Sequence, residues 1–145
     1  MRALVRDSYG GPEVLALATV ADPVPGVGEV LVRVRAGSVN DYDYHLLTGQ
    51  PFVNRMTAPR RPRHRILGSD VAGEVVALGP GAGRFVVGAQ VFGDLSTCGF
   101  GGYAELAAVP ESALAPVPSA LSVQQAGVVP QAGGLAVTAL RRRRG

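Results

Sequence analysis

The sequence contains no tryptophan, no lysine and a single cysteine, Cys98. One cysteine excludes an intramolecular disulfide and any zinc site built from several thiolates. No uninterrupted apolar run approaches the roughly 18 residues that a membrane span needs. The opening MRALVRDSYG lacks the apolar centre and cleavage pattern of a secretory signal, so the chain reads as cytoplasmic. Without lysine, all 14 basic residues are arginines. Four of them are the run Arg141 to Arg144, and the other ten face 11 acids, so the folded part is near neutral although the formal charge is +3. A nucleic-acid partner calls for a basic face across the domain, and none is expected here. The second cluster, RRPRHR from Arg60 to Arg65, is broken by proline, lacks interleaved aromatics and reads as a solvated loop.

What is present is one domain's worth of chain: 145 residues, 47% hydrophobic, enough for a packed core. Strand signals dominate. EVLVRVRA (Glu29 to Ala36) alternates with period two, placing Val30, Val32 and Val34 on one face and Arg33 and Arg35 on the other. EVLALATV (Glu13 to Val20), AGEVVALG, FVVGAQVFG and YAELAAV read as further short strands between glycine and proline turns, the pattern of a barrel or sandwich. One internal helix is expected in SVNDYDYHLLTG, with Asn40 as N-cap, Asp43 in the first turn and Gly49 as the stop. Gln50 to Arg65 carries three prolines and predicts a long exposed loop of the kind that walls a pocket. Beyond it, Ser122 and Gln125 have capping-box spacing, and the remainder predicts two short helices broken at Pro130.

The stretch ILGSDVAGEVVALGPGAG (Ile66 to Gly83) poses the first functional question. Gly79, Gly81 and Gly83 resemble part of a phosphate loop, but such a loop runs from a strand into a helix. Here GPGAG leads into another strand-like segment, and Pro80 removes a backbone donor. A turn between strands is the reading.

The segments GSDVAGEVVALGPGAGRFVVGAQVFG, VRVRAGSVNDYDYHLLTG and GGYAELAAVPESALAPVPSALS together resemble the medium-chain dehydrogenase/reductase superfamily, and within it the zinc-independent quinone oxidoreductase-like branch. The resemblance implies a mainly β fold: a partly open GroES-like barrel with a few short helices and a helical linker at its end. It divides the chain into a GroES-like catalytic domain, residues 1–121, and the start of the link to a Rossmann domain, residues 122–145. In zinc-dependent relatives a cysteine stands at the position of Asn40 and a Gly-His-Glu sequence at Gly68-Ser69-Asp70. Asparagine and serine are not usual zinc ligands, and only LSTCGF lies where the structural zinc lobe would be, so no metal is expected. Ser69 and Asp70 are read as bonding loop backbone, and Cys98 as structural. Relatives also read Val-Gly-Asp-x-Val where this chain has Val87-Gly88-Ala89-Gln90-Val91.

The resemblance places Asn40 near the nicotinamide of NADP or NAD, with an amide that can donate to a substrate oxygen; Asn40 is equally the helix N-cap. Tyr42 adds a hydroxyl on the cofactor side. Asp43 and His45 match positions near the active site, where a histidine can relay protons near neutral pH. Asp41 and His45 are also spaced as a plain helix-surface pair. The implied function is the N-terminal catalytic part, truncated, of an NAD(P)H-dependent, zinc-independent oxidoreductase. It would reduce a quinone, enone or similar carbonyl by hydride transfer. Alone, the chain is expected to bind no cofactor tightly, to be inactive, and to form homo-oligomers through its apolar C-terminal segment. The alternative is a stand-alone, non-catalytic GroES-like binding module.

Overall fold

The fold was determined as a computed structural model, which describes residues 1–56 and 58–142. Arg143 and Arg144 of the terminal arginine run lie outside the described residues. Among the described residues, seven strands form two antiparallel sheets. β1 (Arg2–Val5) pairs with β2 (Ala16–Thr19), and β3 (Glu29–Ala36), β4 (Asp70–Leu78), β5 (Gln90–Asp94), β6 (Leu106–Pro110) and β7 (Leu114–Pro116) follow the order β6-β3-β4-β5-β7. Single bridges from Ala3 to Ala104 and from Val5 to Ile66 stitch the small sheet to the rest of the chain. The result is mainly β and partly open rather than a closed barrel.

The alternation in β3 is the reason the core sits where it does. Val30 and Val32 are fully buried and Arg33 is exposed. They pack with Val71, Val75, Val91, Val109, Leu95 and Leu114 from the other strands and the loop after β5. β-branched valine suits this pleated interior because its stiff χ1 loses little freedom there. Two register shifts against β4, at Leu31/Val32 and Val34/Ala36, twist β3 across the sheet. Within β4, a Cβ on Gly73 would collide with the carbonyl oxygen of Arg33.

Two strand expectations are corrected. In Glu13 to Val20 the first turn is a 3-10 helix, Pro12–Val14, and β2 begins only at Ala16. In FVVGAQVFG the strand begins at Gln90, because Gly88 turns the chain at φ 91° and leaves Val86 and Val87 exposed. The glycine-rich turn behaves as expected of a strand connection. It contributes no helix N-terminus, and its amides on Gly83 and Arg84 donate to the Glu111 carboxylate at 3.0 and 2.9 Å.

Helix α1 (Asp41–Thr48) runs from Asn40 to Gly49, which is left-handed at φ 66°. The Asp43 carboxylate accepts the Asn40 backbone N–H at 3.0 Å, half of a capping box. The Gln50–Arg65 loop contains a 3-10 turn, Phe52–Arg55. Arg55 reaches back from it to the carbonyls of Thr48 (2.7 Å) and Gly49 (3.1 Å), satisfying the end of α1. Ser122 and Gln125 form the expected reciprocal cap of α2 (Val123–Ala126). Pro130 opens α3 (Pro130–Arg142), whose first turn needs no proline N–H. α2 packs on β3, β4 and β5 and buries Ala126 completely.

Candidate active site

The start of β4, the loop before α1 and the N-terminus of α3 converge on a buried polar cluster. Asp43 is 2% exposed, and Ser69 and Asp70 are fully buried. No lysine or arginine pairs with these carboxylates among the described residues, and unpaired buried charge is costly. Hydrogen-bond donors take that place. Asp43 accepts from the backbone of Asn40 (3.0 Å), Ser69 (3.1 Å) and Gly68 (3.3 Å) and from the Ser69 hydroxyl (3.0 Å). Asp70 accepts from the Ser38 hydroxyl at 2.6 Å, the Asn40 amide at 3.1 Å and the Gln131 backbone N–H at 3.0 Å.

Asn40 stands at the centre. Its Nδ2 donates toward Ser38 Oγ (3.1 Å), Ser69 Oγ (3.0 Å) and Asp70 Oδ2 (3.1 Å), more acceptors than it has protons. Asn40 is therefore bonded to both Ser69 and Asp70. An amide nitrogen and a serine hydroxyl engaged in this way offer a divalent metal no thiolate or imidazole. Among the described residues, no group of three His, Cys, Asp or Glu side chains is placed to hold a metal ion.

Tyr103 closes the cluster, its hydroxyl donating to the Ser38 carbonyl at 3.2 Å. Burial pushes the phenol above its ordinary pKa, and the nearby carboxylates of Asp43 and Asp70 push it further. The Cys98 thiol is likewise raised, by burial first and then by Asp94 and Glu29, so it is a poor nucleophile.

The outward side of α1 faces a cleft of about 470 Å³. Its lining comes from Asp41, Tyr42 and His45 of α1, Asp94 and Ser96 after β5, and Gln131, Gly134 and Leu135 of α3. His45 Nε2 lies 3.1 Å from Asp41 Oδ2, the i,i+4 pair anticipated from spacing. Its Nδ1 is buried without a hydrogen-bond partner.

The structure thus separates the four candidates into pairs. Asn40 and Asp43 face inward and hold the cluster, whereas Tyr42 and His45 line the cleft. Ser69 and Asp70 bond more than loop backbone, since Asp70 caps a helix. Sequence reasoning missed Ser38, Tyr103 and Gln131. Ser38 had a signal, an i,i+2 hydroxyl beside the N-cap; the others had none, being far away in sequence.

Comparison with known proteins bears on this geometry. Residues 26–119 match the alcohol dehydrogenase GroES-like domain. Over its whole length the chain is 36% identical to a chloroplastic quinone-oxidoreductase of Triphysaria versicolor, covering 43% of that protein. The fold superposes on a quinone oxidoreductase of Coxiella burnetii with a TM-score of 0.88 and 31% identity, over 98% of this chain and 44% of that one. It also matches the Escherichia coli quinone oxidoreductase complexed with NADPH, with a TM-score of 0.74 and 26% identity, over 88% of this chain and 36% of that one. The chain spans about two-fifths of the length of these relatives. By the match of residues 26–119 to the GroES-like domain, with quinone oxidoreductases among its relatives, the chain belongs to the medium-chain dehydrogenase/reductase superfamily, as its GroES-like N-terminal part.

Proposed function

We propose that this chain forms the substrate side of an NAD(P)H-dependent, zinc-independent oxidoreductase that reduces a quinone, enone or similar carbonyl. The observation that carries the reading is the direct bond between Asn40 and Ser69, at 3.0 Å, within a cluster shared by Asp70. It supports a metal-free site and leaves Tyr42 and His45 facing the cleft, beside Asp41, Asp94, Ser96 and Gln131.

The dinucleotide's phosphate end finds no cradle among the described residues, because the glycine turn's amides hold Glu111. That end does not fit this part of the protein. The cleft beside α3 has room and a mixed polar and apolar lining for a planar ring. When bound by the whole enzyme, the nicotinamide supplies the hydride. This chain's own work is to seat the carbonyl compound, exclude water and hold a proton for the reduced oxygen. His45 is the group for that proton, held on Nε2 beside the exposed Asp41, since its Nδ1 is buried. Asn40 and Asp43 position α1 and so place His45.

The test joins the chain to the Rossmann domain of a quinone oxidoreductase relative and follows NADPH oxidation with a quinone acceptor. Turnover that falls in H45Q is expected. A chimera that binds NADPH and reduces no carbonyl compound would defeat the proposal. One observation favours the alternative of a non-catalytic binding module: α3 leaves Leu135 and Leu140 68% exposed or nearly so (67% and 68%), an apolar surface open to a partner.

A further inference from the structure

Tyr42 and Ser96 line both the cleft beside α3 and a second cavity of about 270 Å³, so the two share a wall. Phe100 stands in the second cavity, its ring centroid 5.9 Å from that of Tyr42 and 5.0 Å from that of His64. It is held there at φ 66°, between Gly99 at 111° and Gly101 at 113°. A left-handed backbone is unfavourable for a bulky residue, and such strain concentrates where a ligand is clamped.

The same cavity is cationic. Arg6 and Arg63 line it. Arg6 is 3% exposed and gives its guanidinium protons to the carbonyls of Leu46, Leu47 and His64, and among the described residues it has no ion-pair partner. Arg63 lies on the exposed loop, and among the described residues no carboxylate is within ion-pair distance of it. Asp7, the nearby acid, is bonded to Arg65 at 2.8 Å. The field is felt by His64, whose pKa is lowered by burial and then by Arg63 and Arg6. The cleft beside α3 is of the opposite sign, with Asp41 and Asp94.

We propose that this second cavity selects a planar quinone or aromatic carbonyl compound bearing an anionic substituent, with its ring against Phe100 and Tyr42 and its anion at Arg63. The inference rests on the reading of this chain as a quinone reductase's substrate side and adds the charge of the substrate. A flat ring meets the aromatic faces in an offset or tilted arrangement. A carboxylate or sulfonate meets the exposed Arg63 guanidinium, which among the described residues has no ion-pair partner. Asp41 and Asp94 of the neighbouring cleft repel that group and so fix which way round the ring lies.

The experiment titrates the full chain calorimetrically with anthraquinone-2-carboxylate and with its uncharged carboxamide, at low and raised salt. The carboxylate is expected to bind about tenfold more tightly at low salt, the size of one charge-assisted hydrogen bond. Raised salt should erode that preference. R63Q should bring the two probes within about twofold of each other, since only the charged one loses a partner. R33Q removes the same charge from the exposed face of β3 and should keep the preference. Circular dichroism checks that both variants are folded. Equal affinity of both probes for the unaltered chain, or a preference that survives R63Q, overturns the anion site and leaves the quinone reading standing. Failure of both probes to bind overturns both.

Discussion

The carboxylate of Asp70, at the start of β4, accepts the backbone N–H of Gln131, at the start of α3, at 3.0 Å across 61 residues of sequence. A negative group at a helix N-terminus satisfies an orphan donor and meets the positive end of the helix dipole. One buried side chain thereby fixes α3, the loop at Ser38 and the cap at Asn40. D70A takes an acceptor from three donors, of which the Asn40 amide keeps Ser38 and Ser69 while the Ser38 hydroxyl and the Gln131 N–H lose their partner. It is expected to cost about 3 kcal/mol in denaturant unfolding, and to loosen α3 first in hydrogen exchange. Unchanged protection of α3 would show that its position is set by packing instead.

Asn40 should matter more than Cys98. In the chimera with a Rossmann domain, N40A removes the hub of the cluster and is expected to lower kcat about tenfold or more, one to two hydrogen bonds' worth of positioning. C98A takes away a half-buried thiol that makes no hydrogen bond in the site and should change kcat less than about twofold. Stability-corrected activities that are equal for the two variants would remove Asn40 from the mechanism.

Gly49 is required by shape as well as by backbone freedom. At φ 66° an added Cβ would press on the ring of Tyr9 at 2.7 Å and on the Arg55 side chain, which there stacks over Tyr9 at 4.6 Å. G49A should lose about 1–2 kcal/mol from the left-handed backbone alone, with a further loss from the displaced Arg55. Thermal unfolding no different from the unaltered chain would contradict this.

His64 gives stability a pH dependence of known sign. Its folded pKa lies below the ordinary 6.5, chiefly through burial, with Arg63 and Arg6 adding repulsion. The unfolded chain therefore binds the proton more readily. Stability is full above about pH 6.5 and falls as the pH drops from there toward the folded pKa. Asp7 and Glu105 have lowered pKa values through their arginine partners, so their effect comes in the more acidic carboxylate range. H64Q should flatten the profile just below 6.5 and leave the acidic limb in place. An identical profile would place the titrating group elsewhere.

Helix α3 and the turn before it present Val128, Leu135, Val137 and Leu140, all about half exposed or more. Burying one such side chain gains roughly 1.5–3 kcal/mol, so association through this face is expected at high concentration. Sedimentation should show it, and L135Q with L140Q should relieve it. The substitutions are preferable to cutting the chain at Ser122, because Ala126 is fully buried and a Cβ on Gly127 would come within 2.7 Å of Ala36. A clean monomer at high concentration would mean that this face needs no cover.

Local rules alone determined β3, α1 and the α2 cap. The period of Val30, Val32 and Val34, the Asn40 and Gly49 ends of one helix, and the Ser122–Gln125 spacing are all set by contacts within a few residues. The family resemblance was legible for the same reason, being carried by contiguous segments. Local pattern misled at Phe85 to Val87, where β-branched residues lie in a turn because Gly88 redirects the chain. Only tertiary structure decided that Asn40 turns inward while His45 and Tyr42 face the cleft, since all three sit within one turn or so of the same helix. It alone filled the glycine turn with Glu111, set Phe100 between Tyr42 and His64, and made Asp70 the cap of α3. Those partners are separated by tens of residues, and a hydrogen bond or ring contact between distant positions leaves no period or spacing in the sequence for local rules to find.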